Sequence, residues 1–220
     1  MDSHVVGATQ PALIEQTLGQ ALTVAAETYG DREAVVSVHQ AARLSYRELN
    51  AQANAFGAGL LALGLEPGDR VGIWAPNCVE WTVVQFATAK AGLILVNINP
   101  AYRLFELEYA LNKAGCRALV LAESFKSSKY FDMIRKLAPE LDQCEPGKLD
   151  SEKLPALEMV IGFADSLPKG FVDYAALPDT AGDTDKARID AFESSLNPHD
   201  AINIQFTSGT TCLLYTSPSP

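Results

Sequence analysis

The sequence predicts an α/β fold in which a parallel sheet is covered by helices on both faces. From residue 70 onward, short aliphatic runs alternate with helical patterns roughly every 25 residues, as successive βαβ units do. The run 93–97 is almost continuously apolar, which is typical of a parallel strand buried on both faces. Hydrophobic residues make up 48% of the chain and charged residues 20%, so the composition favours a folded core over disorder.

The first predicted elements are a helix, a hairpin and a second helix. Apolar residues recur at helical spacing over 17–29, and Thr17 is the expected N-cap. Two short strands follow, at 33–38 and 43–45. The string Ser45-Tyr46-Arg47-Glu48 is a capping-box pattern, so a long helix is expected to begin there.

The middle of the chain supplies most of the predicted sheet. We expect strands at 70–74, 93–97 and 118–121 and helices at 78–91, 104–114 and 124–137. Asn77 is the expected N-cap of the helix that begins at Cys78. Trp74 and Trp81 flank this strand-to-helix turn, and we assign both to packing.

The last third of the chain is less regular. Residues 140–155 are polar and contain proline and glycine, so they are interpreted as a surface loop. A short strand is expected at 159–163. The acidic stretch 178–200 predicts at most one irregular helix, and a final strand is expected at 202–207.

Charge and cysteine content limit the partners and the compartment. Seventeen basic and 27 acidic side chains give a net charge of −10, which disfavours nucleic acids and anionic membrane surfaces as partners. The four cysteines form no CxxC pair, so neither a zinc site nor a disulfide framework is expected. No stretch reaches the ~18 apolar residues of a transmembrane span, and no signal or transit pattern is present. These features predict a cytoplasmic protein with no transmembrane segment.

One glycine pattern imitates a nucleotide site. Residues 57–62 (GAGLLA) fit a loose GxGxxA dinucleotide fingerprint. The pattern lies inside a predicted helix, however, and not at a strand-to-helix turn where amide groups could face a pyrophosphate. We therefore interpret these small residues as a site of close helix packing.

The segment Thr207-Ser208-Gly209-Thr210-Thr211 is the candidate binding site. It follows a predicted strand directly, its hydroxyls and amides can donate to phosphate oxygens, and Gly209 lets the backbone approach closely. Hydrogen bonds to a charged group contribute about 1.5–3 kcal/mol each, so several together would hold a triphosphate. On residue types alone, an ordinary Ser/Thr turn is the preferred explanation of the segment.

Several strings together resemble one family. Ile204–Thr211 is similar to the opening of the ATP-binding signature [ST]SGTTGxPKG of the adenylate-forming (AMP-binding) superfamily. Leu44–Leu49 resembles the early "lTy.EL" helix start of the superfamily, and Gly68–Asn77 its "GDrVgi..pN" strand and turn. Ala91-Gly92 followed by Asn97–Tyr102 resembles the "AG.i...NPaY" segment of its fatty-acid members. Among these, the chain looks closest to the medium-chain acyl-CoA ligases.

The resemblance ends abruptly after Thr211. Where the signature continues with glycine, the chain has Cys212, and where it has a lysine that would face the phosphates, the chain has Tyr215. The last residues are Ser-Pro-Ser-Pro. We interpret this tail as a frameshift or a fusion to unrelated sequence, with a divergent loop as the alternative.

The resulting division has three parts. Residues 1–16 are expected to be an N-terminal tail, 17–211 an incomplete AMP-binding domain and 212–220 a tail foreign to the family. The resemblance thus implies an N-terminal fragment: the first part of the large N-terminal domain of an acyl-CoA synthetase.

The resemblance also implies a reaction. A fatty acid–CoA ligase activates a fatty carboxylate with ATP as an acyl-adenylate and then transfers the acyl group to coenzyme A, with Mg²⁺ bound to the triphosphate. Thr207 to Thr211 carry over as phosphate-binding residues. No catalytic or metal-binding residue carries over, so the fragment itself is expected to be inactive. Two alternatives stay open: another adenylating enzyme that activates aryl or amino acids, and a non-catalytic nucleotide-binding module.

Overall fold

A sheet of six strands runs through the protein, seen in a computed structural model that describes residues 7, 10 and 14–206. The described helices are Leu18–Tyr29 (α1), Tyr46–Ala62 (α2), Val79–Lys90 (α3), Leu104–Ala114 (α4), Tyr130–Leu137 (α5) and Asp183–Ser195 (α6). The described strands are Glu33–Ser37 (β1), Ala42–Ser45 (β2), Arg70–Trp74 (β3), Ile94–Asn97 (β4), Cys116–Ala122 (β5), Ser124–Phe125 (β6), Ser128–Lys129 (β7), Met159–Phe163 (β8), Val172–Asp173 (β9) and Asn203–Gln205 (β10).

The six strands of the main sheet are all parallel. Their order is β10-β4-β3-β5-β8-β9, and β1–β2 and β6–β7 are separate antiparallel hairpins. Gly72 of β3 faces α4, since a Cβ there would lie 3.5 Å from Leu111. On the other face, α2 packs against α1, α3 and α6. The predicted parallel sheet with flanking helices is therefore confirmed.

The small residues of α2 pack closely, as predicted. A Cβ at Gly57 would lie 3.1 Å from the Ala87 carbonyl oxygen of α3, and one at Gly59 would lie 2.6 Å from the Leu177 carbonyl oxygen. Both glycines are inside the helix, far from its amino end. Residues 57–62 therefore serve helix packing and not nucleotide binding.

Two helix starts agree with the sequence interpretation. Thr17 caps α1 and Ser45 caps α2, and in each case a capping box is complete. The Ser45 hydroxyl accepts from the Glu48 amide at 3.2 Å, and the Glu48 carboxylate accepts from the Ser45 amide at 2.7 Å. Both contacts satisfy amide groups that have no partner inside the helix.

The helix predicted over 124–137 is wrong in its first half. The β6–β7 hairpin occupies 124–129, and α5 begins only at Tyr130. Lys126 adopts a left-handed backbone conformation with φ of 52°, which a continuing helix does not allow. The Tyr130 amide donates to the Glu123 carbonyl at 2.9 Å, so the hairpin is closed onto the start of α5.

The other two irregular stretches are also more ordered than predicted. The expected surface loop at 140–155 begins in a 3₁₀ turn and buries Leu141, Leu149 and Leu154 against the core. The stretch 178–200 contains α6, a regular helix of 13 residues. Asp183 and Asp185 lie in its first turn, where carboxylates interact favourably with the helix dipole.

The buried thiol of Cys116 is expected to make the stability of the fold depend on pH. The thiol is 1% exposed at the start of β5, and burial raises its pKa to about 12. In the unfolded chain the pKa of a cysteine thiol is about 8.5. The stability that the buried neutral thiol contributes is therefore fully present below that pH, and it is lost as the pH rises toward the pKa of the thiol in the folded protein. Raising the pH from 7.5 to 10 is expected to lower the unfolding free energy of the parent by about 2 kcal/mol more than that of Cys116→Ala, which has no thiol to ionise at this position. Urea unfolding at both pH values measures this, and equal losses in the two proteins would contradict it.

Candidate functional site

The carboxyl edge of the sheet is where a ligand is expected. In open parallel sheets, ligands bind beyond the carboxyl ends of the strands, where the direction of the connections reverses. Here the chain passes from β3 to its neighbour β4, and then crosses back to β5 on the other side of β3. The reversal therefore lies between the carboxyl ends of β3 and β5.

An aromatic pair fills this position. Trp74, the last residue of β3, stacks on Tyr130 with 3.7 Å between ring centroids, and both side chains are fully buried. The packing role predicted for Trp74 is thereby confirmed. Burial raises the pKa of the Tyr130 hydroxyl to about 12, so it remains a hydrogen-bond donor at neutral pH.

The two aromatic side chains hold the segment that follows β4. The Trp74 indole donates to the Asn99 carbonyl at 3.1 Å, and the Tyr130 hydroxyl donates to the Pro100 carbonyl at 2.6 Å. The Asn99 side chain in turn accepts from the Ala101 amide at 2.9 Å. Residues 99–102, which we call the NPAY segment, are therefore fixed along the carboxyl edge of the sheet.

The candidate phosphate segment starts beside this edge. In the parallel β4–β10 pair, Gln205 lies opposite Asn97, so the chain leaves β10 at the edge where the NPAY segment leaves β4. Thr207, Ser208, Gly209, Thr210 and Thr211 lie outside the described residues, and their role in phosphate binding stays a prediction. What the structure supplies is the position from which they begin.

A pair of amide side chains near the end of β4 was not singled out from the sequence. The Asn97 amide nitrogen donates to the Asn203 side-chain oxygen over a long 3.4 Å, and the buried Asn97 Oδ1 has no partner among the described residues. A buried acceptor without a donor costs about 1–3 kcal/mol, so a donor from the following segment or from a ligand would stabilise this edge. The sequence signal that could have identified this pair is a polar residue at the end of an otherwise apolar strand.

The N-cap predicted for α3 is wrong. Asn77 is exposed and the helix is preceded by Cys78, which makes no side-chain capping bond. The cap comes instead from the β1–β2 turn: the Gln40 side-chain oxygen accepts from the Val79 amide at 2.9 Å. The Gln40 nitrogen donates to the Glu80 carboxylate at 2.8 Å. A distant side chain thus does what a local Asn was expected to do.

The described residues bring together no group of three His, Cys, Asp or Glu side chains that could hold a metal ion. Cys78 and Cys116 are held as neutral thiols, because burial raises the pKa of each to about 12. The described edge positions the backbone and supplies neutral hydrogen-bonding groups.

The fold and the carboxyl edge of the sheet define a class of protein. It is an α/β domain with a parallel sheet, in which the loops that follow the strands form the edge where a ligand is expected. The family is then shown by the sequence. The chain belongs to the AMP-binding enzyme family, whose profile matches residues 22–213.

The curated relatives of this chain are named as acyl-CoA ligases or acyl-CoA synthetases. The chain is 41% identical over 211 residues to the human medium-chain acyl-CoA ligase ACSF2, mitochondrial, and 39% identical over 209 residues to the rat protein of that name. It is 36% identical over 199 residues to the putative acyl-CoA synthetase YngI of Bacillus subtilis. These matches cover 90–95% of the chain and 34–36% of the relatives. The chain thus spans about a third of their length.

Solved structures show the same fold. A putative long-chain-fatty-acid CoA ligase from Rhodopseudomonas palustris superposes with a TM-score of 0.61 at 25% identity, covering 79% of this chain and 38% of that one. A long-chain-fatty-acid-CoA ligase from Archaeoglobus fulgidus gives 0.67 at 19% identity, covering 94% and 37%. The second likeness concerns the fold alone.

No helix within residues 14–206 is long and apolar enough to cross a membrane. The mammalian relatives are named as mitochondrial. The cytoplasmic location predicted for this chain stays a prediction.

Proposed function

We propose that this chain is part of the AMP-binding domain of a fatty acid–CoA ligase. The observation that carries the proposal is about 40% identity, over 95% of the chain, to medium-chain acyl-CoA ligases. In the proposed reaction, a fatty carboxylate oxygen attacks the α-phosphorus of ATP, which releases pyrophosphate and gives an acyl-adenylate. The coenzyme A sulfur then attacks the acyl carbon and AMP leaves.

The proposed role of Thr207 to Thr211 is to hold the β- and γ-phosphates with hydroxyl and amide donors. Their starting point beside the NPAY segment supports this, because ligands bind at that edge of parallel sheets. Such groups act by positioning the phosphates and by stabilising the charge that develops on them. Mg²⁺, if it is used, would be held by phosphate oxygens and by residues beyond the described ones.

The chain itself is proposed to be inactive, because Tyr215 stands where the family has a phosphate-facing lysine. Incubation with ATP, Mg²⁺ and octanoate is expected to release no pyrophosphate above a blank without protein. Release above that blank would contradict the proposed inactivity.

Restoring the signature is expected to create measurable phosphate affinity. The variant Cys212→Gly, Leu214→Pro, Tyr215→Lys, Thr216→Gly should bind inorganic tripolyphosphate at least about tenfold more tightly than the parent, since a charge-assisted hydrogen bond contributes about 1.5–3 kcal/mol. Titration calorimetry measures the difference.

The matched control carries the same changes with Tyr215→Met instead of Tyr215→Lys. It keeps the backbone of the restored signature and the approximate length of the lysine stem, but not the charge. Equal affinity of the two variants for tripolyphosphate would show that residue 215 does not face a phosphate, and would contradict the phosphate-binding role proposed for this segment.

A further inference from the structure

A cavity lies at the amino edge of the sheet, where β3, β4 and β10 begin. Its volume is about 460 Å³, and sites for small molecules usually measure about 300–1,000 Å³. We call it the amino-edge cavity, and the described residues that line it are 16–18, 67, 68, 89, 92, 94, 196–198 and 200–202. It lies at the opposite edge of the sheet from the NPAY segment, so the proposed reaction does not use it.

Most of the buried lining of the amino-edge cavity is apolar. Ala89 is buried, and the side chains of Ile94 and Ile202 are half-buried. Polar side chains such as Asn197 and Asp200 stand at the exposed part of the lining. An apolar surface with a few polar groups is the usual form of a site for a small molecule.

Contacts within the protein hold the walls of the amino-edge cavity in place. The Gly68 amide donates to the Gly92 carbonyl at 2.8 Å, which joins the turns that lead into β3 and β4. The Leu95 amide donates to the Ile202 carbonyl at 3.0 Å, which joins β4 to the loop before β10. A Cβ at Gly92 would lie 3.1 Å from a methyl carbon of Leu196, so turn and loop also touch there. These contacts need no ligand, and the cavity is therefore preformed.

Thr17 brings an unused hydrogen-bond donor to the amino-edge cavity. It lines the cavity, it is only 9% exposed, and its hydroxyl oxygen accepts from the Gln20 amide at 3.1 Å. A hydroxyl group also has one hydrogen to donate. The capping box uses only the oxygen and the amide of Thr17, so this hydrogen has no acceptor among the described residues. Because buried polar groups are normally hydrogen-bonded, an oxygen acceptor on a ligand would satisfy it.

The charges of the lining disfavour a charged ligand. Asp200 is acidic, and no described Lys, Arg or His side chain lines the cavity. A fatty carboxylate bound there would lose its hydration without gaining a cationic partner, which is costly. An alkylammonium ion would not satisfy Thr17, since it has no acceptor for the hydroxyl hydrogen. A neutral molecule with an oxygen atom avoids both costs.

We propose that the amino-edge cavity binds a neutral aliphatic molecule with one oxygen acceptor, of the class of the medium-chain alcohols. The alkyl chain lies on the apolar lining, and the oxygen accepts from the Thr17 hydroxyl. This site is distinct from the edge where the substrates of the proposed reaction are expected. It does not depend on the proposed function, and none of the outcomes below bears on that function.

Titration of the 220-residue chain with hexanol, followed by amide NMR, tests the site directly. The amide signals of Leu18, Ile94 and Ile202 are expected to shift together and to saturate, while those of β5 and β8 stay unchanged. From butanol to hexanol, each added methylene is expected to tighten binding by about fourfold, because more apolar surface is buried. If these amides show no saturable shift, the proposal is overturned, whether water or the chain itself fills the cavity.

Two ions with the same alkyl chain test the choice of a neutral ligand. Hexanoate and hexylammonium are each expected to bind at the same amides at least about tenfold more weakly than hexanol, because each ion loses hydration without a suitable partner. If either ion binds there as tightly as hexanol, the assignment to neutral molecules is wrong.

A filling variant locates the alkyl chain. Ala89→Leu adds a larger side chain to the buried lining and is expected to weaken hexanol binding by at least about tenfold. The matched control Ala62→Leu adds the same atoms at an exposed position of α2 and is expected to leave the affinity unchanged. Equal affinity of these two variants for hexanol would show that the alcohol binds elsewhere.

A second pair of variants tests the donor on Thr17, and it decides the proposal if Ala89→Leu does not fold. Thr17→Ser and Thr17→Asp both keep an N-cap oxygen for α1, but only serine keeps a hydroxyl hydrogen. Thr17→Asp is expected to weaken hexanol binding by about threefold or more, and Thr17→Ser to leave it nearly unchanged. If both variants bind hexanol as the parent does, Thr17 is not the donor and the proposal is overturned.

Discussion

Replacing Gly170 with alanine is expected to lower the free energy of unfolding by about 3–5 kcal/mol. Gly170 has a φ of +84°, and a Cβ there would lie 2.0 Å from the Leu141 carbonyl oxygen. No side-chain rotation relieves this contact, because both atoms belong to the backbone framework. The 3₁₀ turn around Leu141 or the turn at 168–171 must move, and Leu141 is fully buried. Urea unfolding followed by far-UV circular dichroism measures the loss.

Gly68→Ala is the control that isolates the clash. Gly68 has nearly the same φ, +89°, but nothing lies within 4 Å of its added Cβ. Only the left-handed backbone is penalised there, at about 1–2 kcal/mol. Equal losses for the two variants would show that the 140–155 stretch yields easily, against the burial seen for it.

Trp74→Ala is expected to lower the unfolding free energy by about 3–5 kcal/mol, the usual cost of removing a buried large aromatic. The substitution also removes the donor to the Asn99 carbonyl and the stacking partner of Tyr130. Amides of the NPAY segment should therefore exchange faster than those of β4 itself. Chemical denaturation and hydrogen exchange measure the two effects.

Two further variants divide the contribution of the aromatic pair. Tyr130→Phe keeps the stack and removes only the bond to the Pro100 carbonyl, at a cost of about 1 kcal/mol. Trp81→Ala removes a half-buried indole that is not in the stack and should cost less than Trp74→Ala. If Trp81→Ala proves as costly as Trp74→Ala, the stack is not what stabilises the edge.

The sequence predicted the sheet well because its strands are encoded locally. The run 93–97 and the capping box at Ser45 each carry their signal within a few residues, and β3 at 70–74 agrees with its predicted bounds. The hairpin at 124–129 was missed because a non-glycine residue, Lys126, takes the left-handed conformation. No propensity argument assigns that conformation to a lysine.

The candidate site was predictable only in part, for a physical reason. The phosphate role proposed for Thr207–Thr211 depends on resemblance to the family signature, because the residue types alone also fit an ordinary Ser/Thr turn. The contacts that shape its surroundings are long-range: Tyr130 reaches Pro100, and Gln40 reaches Val79. Partners 30 to 39 positions apart leave no periodic trace in one sequence.

The cap that Gln40 places on α3 restricts how this protein can vary. Most hairpin turns accept an added residue, but an insertion in the 38–41 turn would displace the Gln40 amide by about 3.8 Å, beyond hydrogen-bond reach. Insertions and deletions should therefore be rare at this turn among homologues. Substitutions at positions 40 and 80 should covary, since one amide serves both the first free helix amide and the Glu80 carboxylate.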